Sequence, residues 1–265
     1  MMKLDKSQIT RNLGKKYKLV PFLEKAFNDF DEPWEYKYKE KEKDTAWHPS
    51  GHCTPTATEL WAIAQDLEES DPVSGTSRKS FQVGHFWHQL LQHIVLHKLG
   101  FCEPGAIERR GSRVWGYGPS TEHVPPGDHI TSMAQPPRPF CWVTGSGDIA
   151  PVEVPKWKGI VDFKTMSSHQ FKQASIPEWA AAKYECQINL YMDFFDEGEA
   201  IIVPINKDTP HDMKEFLYER NQPLIDIIYE KLEFVSACLE AGEAPTKADN
   251  DMFSLDGLLA GPVST

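Results

Sequence analysis

The sequence predicts an α/β protein: a central mixed β-sheet of four or five strands with helices on both faces. Three observations carry this. Helical periods fill residues 81–98 and 178–195, apolar β stretches fill residues 141–166 and 200–206, and the two kinds of segment alternate along the chain.

Taken in order, residues 1–47 are rich in Lys and Glu, with an apolar patch in YKLVPFLEKAF that predicts a short helix, and they read as a peripheral N-terminal arm. The turn-like WHPSGHCTPT (47–56) leads into a helix around 57–69 that Thr56 or Thr58 caps. Residues 70–80 are a loop by composition. FQVGHFWHQLLQHIVLHK (81–98) is the most helical stretch. At about 100° per residue, Leu90, Val83, Trp87, Ile94, Leu91, Val95 and Phe81 form one apolar stripe. His88 lies at its edge and points inward, whereas His85, His93 and His97 fall on the opposite side.

The Gly- and Pro-rich residues 99–140 predict strands with a long excursion between them. CWVTGSGDIAPVEV and KWKGIVDFKT then pair as antiparallel neighbours. EWAAAKYECQINLYMDFF (178–195) is a helix, AIIVPIN (200–206) a strand, and EFLYERNQPLIDIIYEKLEFVSACLEAG helical as far as Gly242. The tail after Pro245 is expected to be loosely held. These readings divide the chain into an arm (1–47), a core (48–207) and an acidic helical extension (208–265).

Composition narrows the function classes. The 265 residues are 40% hydrophobic and 25% charged, ordinary for a globular domain. No apolar run approaches the roughly 18 residues of a membrane span, and the N-terminus lacks the apolar core of a secretory signal, so a cytoplasmic protein without a membrane partner is expected. Five scattered cysteines with no CxxC pair predict free thiols. The net charge of −11 argues against binding nucleic acid by bulk attraction, but its distribution softens that objection. Residues 192–265 hold 16 acidic and 5 basic side chains, and residues 1–191 hold 23 of each.

The chemistry centres on GIVDFKT (159–165). A strand alternates its side chains, so Ile160, Asp162 and Lys164 share one face. Alone, this pair reads as an ion pair on a solvated sheet. With Asp148 on the neighbouring strand and His88 on the helix, it becomes a hard, oxygen-rich constellation suited to Mg²⁺ or Mn²⁺. Gln187 and Tyr191 stand at i and i+4 on the 178–195 helix and share a face with Lys183. Arg109, Arg110 and Arg113, followed by Trp115 and Tyr117, mix guanidinium groups with aromatics; that pattern suits either binding of a single strand or a solvated loop.

Four motifs in order, Gly84-His85-Phe86-Trp87-His88 (GxxxH), Gly145-Ser146-Gly147-Asp148 (GxxD), Asp162-Phe163-Lys164 ((D/E)xK) and Gln187-Ile188-Asn189-Leu190-Tyr191 (QxxxY), resemble the PD-(D/E)xK nuclease superfamily. Within it they are similar to the RecB-like branch that includes lambda exonuclease and phage and CRISPR-associated exonucleases. The resemblance spans residues 48–207 and implies a restriction-endonuclease-like core. It implies His88, Asp148 and Asp162 as metal ligands with the Phe163 carbonyl, and Asp148, Asp162 and Lys164 as catalytic. Gln187 and Tyr191 would contact nucleic acid, with Lys183, Arg109, Arg110 and Arg113 as further candidates from charge.

The implied activity is a Mg²⁺- or Mn²⁺-dependent DNA exonuclease that processes ends in recombination or repair, in a bacterial or phage-infected cytoplasm. A single-strand annealing protein and a homo-oligomer are the partners this suggests. Only Cys238 follows the QxxxY helix, so the three downstream cysteines of the iron–sulfur members are missing and no iron–sulfur cluster is expected. The alternatives are a structure- or sequence-specific endonuclease, or a non-catalytic nucleic-acid-binding protein that keeps the fold.

Overall fold

A computed structural model describes residues 19–21, 23, 24, 47, 49–65, 82–84, 86, 87, 90, 91, 151–154, 157–173, 175–209 and 212–263. Among them the expected α/β architecture is present: four strands in one mixed sheet, flanked by helices.

The chain enters through α1 (Pro49–His52) and α2 (Ala57–Ala64). Thr56 caps α2, taking a bond from the Glu59 amide while the Glu59 carboxylate accepts from the Thr56 amide. Residues 82–84, 86, 87, 90 and 91 are helical, as the 3.6-residue period predicted. Then β1 (Pro151–Val154) pairs antiparallel with β2 (Trp157–Met166). A short α3 (Ser168–Phe171) and the long α4 (Glu178–Phe195) follow. They lead to β3 (Glu199–Asn206), which lies parallel to β2, and to β4 (Phe216–Glu219), antiparallel to β3. Two helices close the chain, α5 (Gln222–Ala241) and α6 (Lys247–Met252). The sheet order is β1-β2-β3-β4.

Parallel β2 and β3 are buried on both faces, which explains their near-continuous apolar runs. Ile160, Val161 and Phe163 of β2 are buried, as is β3 from Ala200 to Asn206. Helix α4 packs on β2 and β3, and α1 and α5 pack on α4. Residues 185–193 of α4 are buried on every side, and Ile188, Leu190 and Met192 each contribute about 1.5–3 kcal/mol. Asp196 ends the helix in the left-handed conformation (φ 54°), which the short polar side chain tolerates.

Four features depart from the sequence reading. First, EFLYERNQPLIDIIYEKL is not one helix: Phe216–Glu219 is a strand, and α5 starts behind it. Asn221 caps α5 by accepting from the Leu224 amide, and Pro223 stands in its first turn, where a missing N–H costs nothing. Second, the tail is not loosely held. Phe253 is buried, the Leu258 carbonyl accepts from Asn221 Nδ2 at 2.6 Å, and the Val263 amide donates to the Leu217 carbonyl. Third, the described residues of the N-terminal arm are not peripheral. Leu19, Val20, Leu23 and Trp47 are buried, and the buried Glu215 carboxylate accepts from the Leu19 and Val20 amides. Fourth, Leu91 of the predicted apolar stripe is buried, but Val83 is 40% exposed.

Candidate active site

The alternation of β2 puts Ile160, Asp162 and Lys164 on the face that α4 covers. Ile160 is fully buried, Asp162 is 2% exposed and the Lys164 side chain 13%. A carboxylate this deep is not the partner in an ion pair on a solvated sheet. Lys164 Nζ stands 2.8 Å from Asp162 Oδ2, but its approach is that of a charge contact rather than a hydrogen bond, and Oδ2 has no hydrogen-bond partner among the described residues.

Helix α4 holds the lysine from the other side. Lys164 Nζ donates to Gln187 Oε1 at 2.8 Å, Gln187 Nε2 donates to Tyr191 Oη at 2.7 Å, and the ammonium sits 4.8 Å from the Tyr184 ring centroid. Gln187 and Tyr191 are 4% and 2% exposed. The resemblance implies that the QxxxY pair contacts a nucleic-acid strand; among the described residues both side chains are buried and link to Lys164 through these hydrogen bonds. Lys183, one turn earlier, is exposed.

Tyr184 was not read from the sequence. Its signal was present, since Tyr184, Gln187 and Tyr191 follow i, i+3, i+7 spacing on one helical face. Burial, and then the charge of Asp162, pushes the Tyr184 hydroxyl up to about 12, so it stays a neutral donor and acceptor at physiological pH.

The ends of β2 and β3 are clasped beside the site. Ser168 Oγ donates to Asp208 Oδ2 at 2.7 Å and to Asn206 Oδ1 at 3.1 Å, while the Ser168 amide donates to Asp208 Oδ2. These bonds from Ser168 hold the Asp208 carboxyl below its ordinary value. On the alternate face of β2, Gly84 lies against Thr165, where an added Cβ would stand 3.1 Å from Thr165 Oγ1. Gly84 opens the GxxxH motif, so that helix rests on β2 itself.

His88, Asp148, Arg109, Arg110 and Arg113 lie outside the described residues. Described residues close in sequence to His88 and Asp148 lie against β2, however. Pro151, three residues after Asp148, pairs with Ile160, two residues before Asp162, and Gly84, four residues before His88, abuts Thr165.

The resemblance implies a divalent cation, and Asp162 fits one: a buried carboxylate oxygen without a hydrogen-bond partner among the described residues is a hard donor of the type Mg²⁺ and Mn²⁺ prefer. The described residues alone contain no cluster of three or more His, Cys, Asp or Glu side chains able to hold a metal.

No family model matches the chain, and no curated protein matches it. Among solved structures it is similar to the crystal structure of SSO0001, at 11% identity and a TM-score of 0.37, over 83% of this chain and 88% of that one. Among the described residues no helix is long and apolar enough to cross a membrane.

Proposed function

We propose that this chain is a divalent-metal-dependent deoxyribonuclease, an exonuclease that hydrolyses phosphodiester bonds at DNA ends during recombination or repair. The observation that carries the reading is the buried Asp162 carboxylate, in charge contact with a lysine that Gln187 and Tyr191 hold in place. Burying an ionised pair costs several kcal/mol per ion before attraction is counted, so such a pair is weak evidence for a stabilising role and better evidence for chemistry.

In this reading Asp162 would hold the cation together with His88, Asp148 and the Phe163 carbonyl. The bound cation supplies Lewis-acid stabilisation of charge on a phosphate oxygen and makes water more acidic. Lys164 does the positioning. Its ammonium has three N–H donors; Gln187 takes one while Asp162 makes a charge contact, which leaves donor capacity to orient a water or to bond a phosphate oxygen as negative charge develops. Tyr191 fixes the amide orientation of Gln187, which makes the Lys164 geometry independent of bound DNA. Exposed Lys183 extends positive charge along α4 toward the backbone of a strand. A single-strand annealing protein as partner, a homo-oligomer around DNA and a cytoplasmic site of action belong to the same proposal.

The test is digestion of end-labelled linear DNA and of covalently closed circular DNA in Mg²⁺, Mn²⁺ or EDTA. Metal-dependent loss of the linear substrate alone supports an exonuclease. Cleavage of the closed circle makes the enzyme an endonuclease. No cleavage under any condition by folded protein overturns the catalytic reading in favour of a binding protein.

A further inference from the structure

The first turns of α4 carry a feature that neither core packing nor the Asp162 site explains. Trp179 is 63% exposed, more than any other large apolar side chain among the described residues. An exposed indole forgoes the stabilisation that burying its large apolar surface would bring. Farther along α4 every residue from 185 to 193 is buried, whereas Glu178, Trp179 and Lys183 in its first turns are exposed.

Its neighbours give it a direction. The indole lies 6.4 Å, edge to face, from the Tyr184 ring, and Tyr184 lies 4.8 Å from Lys164 Nζ, which contacts Asp162 at 2.8 Å. An unbroken line therefore runs from an exposed aromatic surface, through a half-buried aromatic, to the ammonium and carboxylate. Those two steps span on the order of three stacked base steps at about 3.4 Å each. Lys183 is exposed between the two aromatics in sequence, on the same part of α4. The Tyr184 contact on one edge orients the indole and lowers the entropy cost of using it as a platform.

We infer that Trp179 is a base-stacking residue: it takes the face of an unpaired base, a few nucleotides along the strand whose phosphate lies at Asp162 and Lys164. The occupant is single-stranded DNA, because a flat π surface beside an exposed lysine and a buried phosphate-directed lysine matches alternating bases and phosphates. A protein partner recognised through Trp179 would not need the line to Lys164. This inference rests on the proposed nuclease reading and adds to it a preference for unpaired strand ends.

The test uses full-length protein with Ca²⁺ in place of Mg²⁺ to allow binding without turnover. Binding of a fluorescein-labelled single-stranded oligonucleotide is measured by anisotropy for wild type, Trp179→Ala and Trp179→Phe, with a series of oligonucleotides each carrying one abasic position. Stacking is worth about 1–3 kcal/mol per base, so Trp179→Ala is expected to weaken binding about tenfold or more, with Phe restoring most of it. Wild type should lose affinity at one abasic position and Trp179→Ala should be indifferent to it. Melting temperatures should stay equal, as the side chain is exposed. If Trp179→Ala binds like wild type with the same abasic profile while metal-dependent cleavage persists, the stacking inference is overturned and the nuclease reading stands. If wild type neither binds nor cleaves DNA, both fall.

Discussion

Gln187→Ala separates a residue that positions the lysine from one that touches the substrate. The substitution removes two hydrogen bonds at once, the 2.8 Å bond from Lys164 Nζ and the 2.7 Å bond to Tyr191 Oη. A bond to a charged group contributes about 1.5–3 kcal/mol and a neutral one about 0.5–1.5 kcal/mol, so a destabilisation of about 2–4 kcal/mol is expected. That is a large share of a typical domain's stability but does not exceed it. The assay is urea unfolding of wild type, Gln187→Ala, Lys164→Met and the double variant. In the Lys164→Met background the charged bond no longer exists, and Gln187→Ala should then cost only about 1 kcal/mol, the Tyr191 share. In cleavage, Gln187→Ala should lower kcat and leave the Kd for DNA unchanged. Equal costs in both backgrounds, or weaker DNA binding with normal turnover, would refute the positioning role and return Gln187 to a direct strand contact.

Three further outcomes follow from the same structure. Lys231 is buried and donates to the Cys53 and Pro55 carbonyls at 2.8 Å each; Lys231→Met leaves both acceptors unpaired and should destabilise by about 2–4 kcal/mol in urea unfolding. Gly84→Val should lower stability by crowding Thr165 Oγ1, and Thr165→Ala should relieve part of that loss, a non-additivity that a double-variant cycle measures. Above pH 9 the fold should weaken. Burial raises the thiols of Cys53 and Cys186, the latter to about 12, and the hydroxyls of Tyr184, to about 12, and Tyr218. Acids whose folded values lie above their unfolded ones contribute stability that is complete below the unfolded values, 9.0 for Cys and 10.0 for Tyr, and lost as pH rises toward the folded ones. Lys231 and Lys214, lowered by burial, act in the opposite sense but are fewer. The urea midpoint of wild type should therefore fall between pH 9 and 11, and fall less steeply in Cys186→Ala; a flat or rising midpoint contradicts this.

Much of the fold was legible because burial wrote a clear period. The α4 helix was read at residues 178–195, β3 within one residue of its start, and the antiparallel pairing of β1 with β2 from two apolar stretches separated by a short turn. Strand β4 was hidden because FLYE is only four residues long and runs directly into the strongly helical α5; the punctuation was there in Asn221 and Pro223 but was outweighed by the apolar period on either side. The hold on the C-terminal tail was illegible for a different reason. Glu185, a charged residue in mid-helix, accepts from the Ala260 and Gly261 amides, and no local pattern announces a partner 75 residues away. In the site, alternation correctly paired Asp162 with Lys164. What alternation could not say was depth: the relay through Gln187 and Tyr191 needs α4 seated on β2, and a polar i, i+4 pair on a helix reads equally as a wet face until its packing is known.

The central claim is that Asp162 and Lys164 act on a phosphodiester bond. The most direct measurement is the single-turnover cleavage rate of end-labelled DNA in Mn²⁺ for wild type, Asp162→Asn and Lys164→Met, each first verified as folded by circular dichroism. Both substitutions keep side-chain size while removing charge, so a rate loss of about a hundredfold or more, as removal of one stabilising donor typically produces, is the predicted result. Folded variants that cleave at the wild-type rate would contradict it and leave the pair as a structural ion pair in the core of the sheet.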